Sequence, residues 1–60
     1  MKIDETAIEC VETNGGSYIA VGYDLETGAM LESTNEYNTE RALRRDMATT
    51  DINEFWRRKD

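Results

Sequence analysis

The hydrophobic rhythm of the chain changes near Ser33. Before it, apolar and polar residues alternate with the two-residue period of a half-buried strand; after it, apolar residues recur three and four positions apart, as on a helix face. In ETAIECVE the alternation is weak, with Ile8 and Cys10 on one side and Ala7, Glu9 and Val11 on the other. Asn14-Gly15-Gly16 then supplies the positive φ angles of a tight hairpin turn. The run SYIAVGYDL is rich in aromatic and β-branched residues. It sets Ile19, Val21, Tyr23 and Leu25 on one face, the face expected to carry the core, and Tyr18, Ala20, Gly22 and Asp24 on the other. DLETG reads as a second turn, opened by Asp24 and closed by Gly28 in a left-handed conformation. AMLEST completes a meander, with Leu31 facing inward beside Ala29.

Beyond the sheet, TNEYNTE is rich in the Thr and Asn that favour helix caps over helix interiors. Asn38 or Thr39 is the expected N-cap of a helix over 40–48, whose apolar face is limited to Ala42, Leu43 and Met47. Glu40 and Arg44 form a favourable pair at spacing four, worth about 0.2–0.5 kcal/mol, and Arg41 repels Arg45 by a similar amount. A second start follows, with Asp51 as N-cap and Glu54 three residues on. Ile52, Phe55 and Trp56 then share one side of a short helix expected over 52–59, and Arg57, Arg58 and Lys59 lie where its dipole favours cations. The expected architecture is α+β: a small three-stranded antiparallel β-meander followed by one or two short helices packed on one sheet face. It forms a single small domain over 1–60, with the sheet in 5–33, the helical part in 38–59, and the terminal aromatics docked over Ile19, Val21 and Tyr23.

Length limits what such a domain can do. A chain of 60 residues buries only about 60% of its unfolded surface, which leaves one thin core and no deep cleft. Cys10, the single cysteine, has no disulfide partner, and no cluster could hold zinc. The usual staples of mini-proteins are missing, which favours self-association or a partner. No apolar run approaches the ~20 residues that span a bilayer, and MKIDETAIEC lacks the apolar stretch of a signal peptide, so the cytoplasm is the expected location. The absence of histidine removes the commonest general base and metal ligand. Cys10 lies in a predicted strand with no base near it in sequence and reads as a small buried hydrophobe. DLETG lacks the ligand run of a calcium loop, and the glycines lack the spacing of a phosphate loop. No enzyme activity, cofactor or metal is expected.

Charge changes this picture because it is unevenly spread. Residues 1–40 carry nine acids against Lys2, a net of −8, and residues 41–60 carry six bases against four acids, a net of +2. Along a strand, same-face side chains lie about 6.8 Å apart, comparable to the spacing of phosphates along DNA. Glu9, Glu12, Asp24, Glu26 and Glu32, with Tyr18 as a central anchor, are therefore the candidate contacts to a basic, nucleic-acid-binding protein surface. The alternatives are a small dimeric nucleic-acid-binding regulator using Arg41, Arg44, Arg45, Arg57 and Arg58, or an accessory subunit docking through Ile52, Phe55 and Trp56. The succession NGGSYIA, DL..G and TERAL, spanning residues 14–43, resembles the small antitoxin domains of the HicB type, without that family's proline-containing turn. Size, acidity and lack of catalytic residues are similar in class to phage-encoded inhibitors of bacterial defence, including anti-CRISPR proteins. Both likenesses imply a non-catalytic protein that acts by masking a partner.

Overall fold

The computed structural model describes residues 1–59. A 3₁₀ turn at Glu5–Ala7 precedes β1 (Glu9–Glu12), β2 (Tyr18–Tyr23), β3 (Met30–Ser33), α1 (Glu40–Thr49), α2 (Ile52–Phe55) and β4 (Trp56–Arg58). The strands form one antiparallel sheet in the order β1-β2-β3-β4, with the helices packed on one face. The class is α+β as expected, with a fourth strand beyond the expected meander.

Local chemistry explains the turns. In the first hairpin the Thr13 N–H donates to the Ser17 carbonyl at 2.7 Å and the Gly16 N–H to the Thr13 carbonyl at 3.1 Å. Of Asn14, Gly15 and Gly16, only Gly16 takes a positive φ, +80°, which makes the loop a turn followed by a left-handed bulge residue. In the second, the Asp24 carboxylate accepts from the Glu26 N–H at 2.9 Å while Gly28, at φ +75°, donates its N–H to the Asp24 carbonyl at 2.7 Å. Asp24 opens this turn and Gly28 closes it, as their positions predict. β3 parts from β2 at Ser33, whose buried Oγ accepts from the Ala20 N–H at 3.1 Å and donates to the Asn35 carbonyl at 2.9 Å. The hydroxyl thus replaces a ladder carbonyl. Two residues away along β2, Tyr37 takes over and exchanges backbone hydrogen bonds of 2.7 and 2.9 Å with Tyr18.

The face of β2 expected to carry the core is the one turned away from it. Ala20 and Gly22 are buried with Leu31 and Trp56, whereas Tyr23 and Leu25 are 43% and 54% exposed. Size decides this. The helical part brings Leu43 and Phe55 onto the sheet, the fourth strand brings Trp56, and bulk on that scale needs a shallow floor. A Cβ at Gly22 would lie 3.3 Å from Trp56 Cη2. Alternation alone ranks the β-branched set as more hydrophobic; the space under Trp56 admits only the small set.

α1 starts where predicted, with Thr39 Oγ1 accepting from the Ala42 N–H at 3.1 Å, and it extends to Thr49. Leu43 is fully buried and Met47 half-buried, but Ala42, expected on the apolar face, is exposed. Arg44 pairs with Glu40 at 2.9 Å as the spacing implies. Asp51 caps α2 through the Asn53 N–H at 2.8 Å. The expected helix over 52–59 is corrected: it stops at Phe55, and the chain becomes β4, with Trp56, Arg57 and Arg58 opposite Ser33, Glu32 and Leu31. Arg57, Arg58 and Lys59 are therefore not helix-terminal cations. Consecutive residues on a helix point about 100° apart, so a continued helix presents Phe55 and Trp56 to different directions. The switch to a strand buries both, with their rings edge to face at 5.0 Å and Tyr37 stacked on Phe55 at 6.2 Å. It also gives the β3 edge a partner, where an isolated single-turn helix has little stability of its own.

Two substitutions test this packing. Trp56→Ala is expected to cost about 3–5 kcal/mol, comparable to the whole stability of a domain of this size, and urea denaturation measures it. Gly22→Val pushes branched carbon into the indole and is expected to cost about 1–3 kcal/mol. Because Trp56 is the only tryptophan, a red shift of its emission in Gly22→Val reports the displaced ring. Emission and midpoint both unchanged would mean that the floor is not tight.

Candidate functional site

Neither helix covers the second face of the sheet. Register places its side chains in rows: Glu9, Val21, Glu32 and Arg57 in one, Val11 beside Ile19 on one side of it, and Tyr23 beside Met30 on the other. Val11, Tyr23 and Met30 are each 40–43% exposed, while Ile19 and Val21 are half-buried by their neighbours. Five apolar side chains therefore form a continuous stripe open to solvent. On the β4 side, Glu32 Oε1 accepts from Arg57 Nη2 at 2.9 Å and Nε at 3.2 Å, a paired charge at the end of the row. Beside that pair a shallow depression of about 320 Å³ reaches Ile19, with Thr13, Thr34 and Glu36 on its rim.

The residues proposed from the charge pattern are distributed more widely than one surface. Glu9 is exposed on this open face, and Glu32 shares it, held by Arg57. Glu12 is exposed at the β1 edge but lies opposite Tyr18, on the side of the sheet that carries the core. Tyr18 is half-buried, packs against the core and is tied to Tyr37, so it is no central anchor among the acids. Asp24 is buried, and its carboxylate accepts from the backbone N–H groups of Glu26 and Lys2. Glu26 stands exposed in the same turn, 3.8 Å from the Met1 ammonium. The structure brings together Glu9 with Glu32, Glu12 with Tyr18, and Asp24 with Glu26, but not all six.

What sequence reasoning missed is the exposure of the stripe's centre, since it assigned Ile19, Val21 and Tyr23 to the interior. The signal was present: Ala20 and Gly22 alternate with Ile19, Val21 and Tyr23, and small residues are the ones that bulky aromatics from another layer can lie against. Ile52, Phe55 and Trp56, considered as a docking triplet, contribute to the core instead.

The titratable groups with displaced pKa values serve the fold. The Glu26 N–H beside Asp24, reinforced by that of Lys2, holds its carboxyl below the ordinary value of 3.8. The Tyr37 hydroxyl, then that of Thr50, lowers Asp46 in the same way. Burial, then the hydrogen bond to Asp46, pushes the Tyr37 phenol up. Burial raises the Cys10 thiol, with Glu40 adding to the effect, so it stays protonated at neutral pH and unsuited to nucleophilic attack. Among the described residues no His, Cys, Asp and Glu side chains gather in the numbers that hold a metal ion, and no helix is long and apolar enough to cross a membrane.

Comparison with protein-family models, with curated proteins and with solved structures finds no match to this chain. The functional reading therefore rests on the geometry above.

Because Asp24 and Asp46 titrate lower in the folded state than in the unfolded chain, their contribution is complete at neutral pH and is lost as pH falls below about 4 through the folded values. Asp24→Asn and Asp46→Asn should each lower stability at pH 7, and the gap from wild type should narrow on acidification. Urea midpoints followed by circular dichroism between pH 7 and pH 2 check this; a gap independent of pH would contradict the assignment.

Proposed function

We propose that this protein is a non-catalytic binding module that works as an inhibitor, masking a basic surface of a nucleic-acid-handling protein with its open sheet face. The observation that carries the reading is the exposed stripe of Val11, Ile19, Val21, Tyr23 and Met30 on a chain of net charge −6. An apolar patch on a small domain marks an interaction site when it is contiguous and rimmed by polar groups. The sheet offers a footprint of about 20 by 20 Å, small for a stable complex, so the contact extends to the acidic rim. There Glu9 on the face and Glu26 in the turn favour a partner whose apolar patch is ringed by lysine and arginine.

This differs from a carboxylate array that imitates a phosphate backbone. Asp24 is committed to its turn and Glu32 to Arg57, which leaves apolar contact as the source of affinity and the remaining acids as the source of selectivity. Dimerisation through the same face would bring two chains of net charge −6 together. Duplex binding through the arginines is less well supported, since Arg44 is paired with Glu40 on α1 and Arg57 with Glu32 across the sheet. A cytoplasmic setting belongs to the same proposal, as that is where such a target and a lone thiol such as Cys10 coexist.

Val21→Lys tests the proposal without threatening the fold, because register sets the new ammonium between Glu9 and Glu32. Affinity capture from the native host's lysate, quantified by mass spectrometry, should recover a basic nucleic-acid-binding protein with wild type and with the off-face control Asn53→Lys. Val21→Lys should lose at least tenfold of it. Equal recovery with Val21→Lys, or capture of no basic protein by wild type, would overturn the reading, and a concentration-dependent dimer in sedimentation that Val21→Lys abolishes would replace it with self-association.

A further inference from the structure

α1 carries two cations that serve nothing inside the fold. Arg44 is held by Glu40 and Arg57 by Glu32, but among the described residues Arg41 and Arg45 make no ion pair. Both are exposed and stand one helical turn apart, a spacing at which like charges repel. Arg41 also lies in the first turn of α1, where the helix dipole opposes a cation. Two local rules are broken at one place with no compensating contact, the pattern expected of a site kept for a ligand.

The surroundings match that expectation. Arg41 and Arg45 line the same open groove, of about 890 Å³, together with Asn35, Tyr37, Thr39 and Asp46. Asp46 carries its charge into the groove but forms no ion pair with either arginine, its two carboxylate oxygens accepting from the Tyr37 and Thr50 hydroxyls. Thr39 Oγ1 accepts from the Ala42 N–H, which leaves its own proton free to donate outward.

We propose that this groove binds a single phosphate group, gripped between the Arg41 and Arg45 guanidinium groups with the Thr39 hydroxyl as a further donor. Two planar forks suit one dianion through charge-assisted hydrogen bonds. A polyanion fits poorly, because Glu36 and Asp46 also line the groove and the chain as a whole repels further phosphates. The ligand is thus inorganic phosphate or a small phosphomonoester such as a nucleoside monophosphate, and not a duplex. The groove borders the depression at the open sheet face through Asn35 and Glu36, but its arginines, on α1, are not part of that face, so this inference does not rest on the docking role.

Proton–nitrogen NMR titrations with inorganic phosphate, with a nucleoside monophosphate and with a short DNA duplex test it. Saturable shifts centred on Thr39, Arg41 and Arg45, with Kd about 1 mM, are expected for the first two. A tighter monophosphate assigns the organic ester as ligand; equal affinities assign the phosphate alone. Arg41→Gln and Arg45→Gln should each weaken binding at least tenfold, and Arg44→Gln should bind as wild type does. Arg41→Glu supplies a second readout: it removes binding while raising the thermal midpoint by several degrees, because the acid suits both the helix N-terminus and Arg45. No saturable shift by about ten times that Kd, unaltered binding in Arg41→Gln, a duplex that binds more tightly than the monophosphate, or a lower midpoint in Arg41→Glu would overturn the proposal.

Discussion

The fold depends on one constraint: Phe55 and Trp56 are adjacent in sequence and both must be buried. They provide much of the apolar volume in a chain that contains one Phe and one Trp. A helix cannot turn two successive side chains to one side. α2 therefore ends at Phe55, and Trp56 begins a strand. Once Trp56 is paired with Ser33, its indole lies over Gly22, and this selects which face of β2 is interior. The face choice then leaves Ile19, Val21 and Tyr23 outside. The terminal strand, the glycine floor and the open apolar face are consequences of a single packing requirement.

That chain of causes explains which parts of the structure were legible in the sequence. Turns and caps are decided by a few neighbouring residues, so Asp24 and Gly28, Thr39 and Asp51 could be read directly. The α+β class followed from the change of period near Ser33. The face of β2 could not be read from alternation, because both sets have strand periodicity and the deciding quantity is the space left by residues more than thirty positions away. The fourth strand was hidden for a similar reason. Ile52, Phe55 and Trp56 have helical spacing, and only the unpaired edge of β3, a tertiary feature, makes a strand the better continuation. For the candidate site, the acids were visible as charge but not as commitments: that Asp24 serves a turn and Glu32 an ion pair is known only once partners across the sheet are placed.

Charge here divides into groups used by the fold and groups left over. Asp24, Asp46 and Asp51 satisfy backbone or hydroxyl donors, and Glu40 and Glu32 each hold an arginine. Exposed pairs of that kind contribute little to stability, but they determine which charges remain available. Of the rest, Glu9 lies on the open sheet face and Glu12 and Glu26 at its margin, while Arg41 and Arg45 share the α1 groove with Glu36 and Asp46.

The open face also follows from size. Sixty residues with 38% hydrophobic content supply one helical layer, and a sheet with a single layer on it has an uncovered side. Many small domains make that side polar, with Thr, Lys and Glu outward. Here the centre of β2 is Ile, Val and Tyr instead, and its charged neighbours are confined to the flanks in β1, β3 and β4. Solubility alone would be served by polar residues at those central positions, since the fold gains little by holding them half in water. An apolar centre with charged flanks gains most when another surface completes the second layer, which ties the proposed binding role to the same packing constraint that shaped the core.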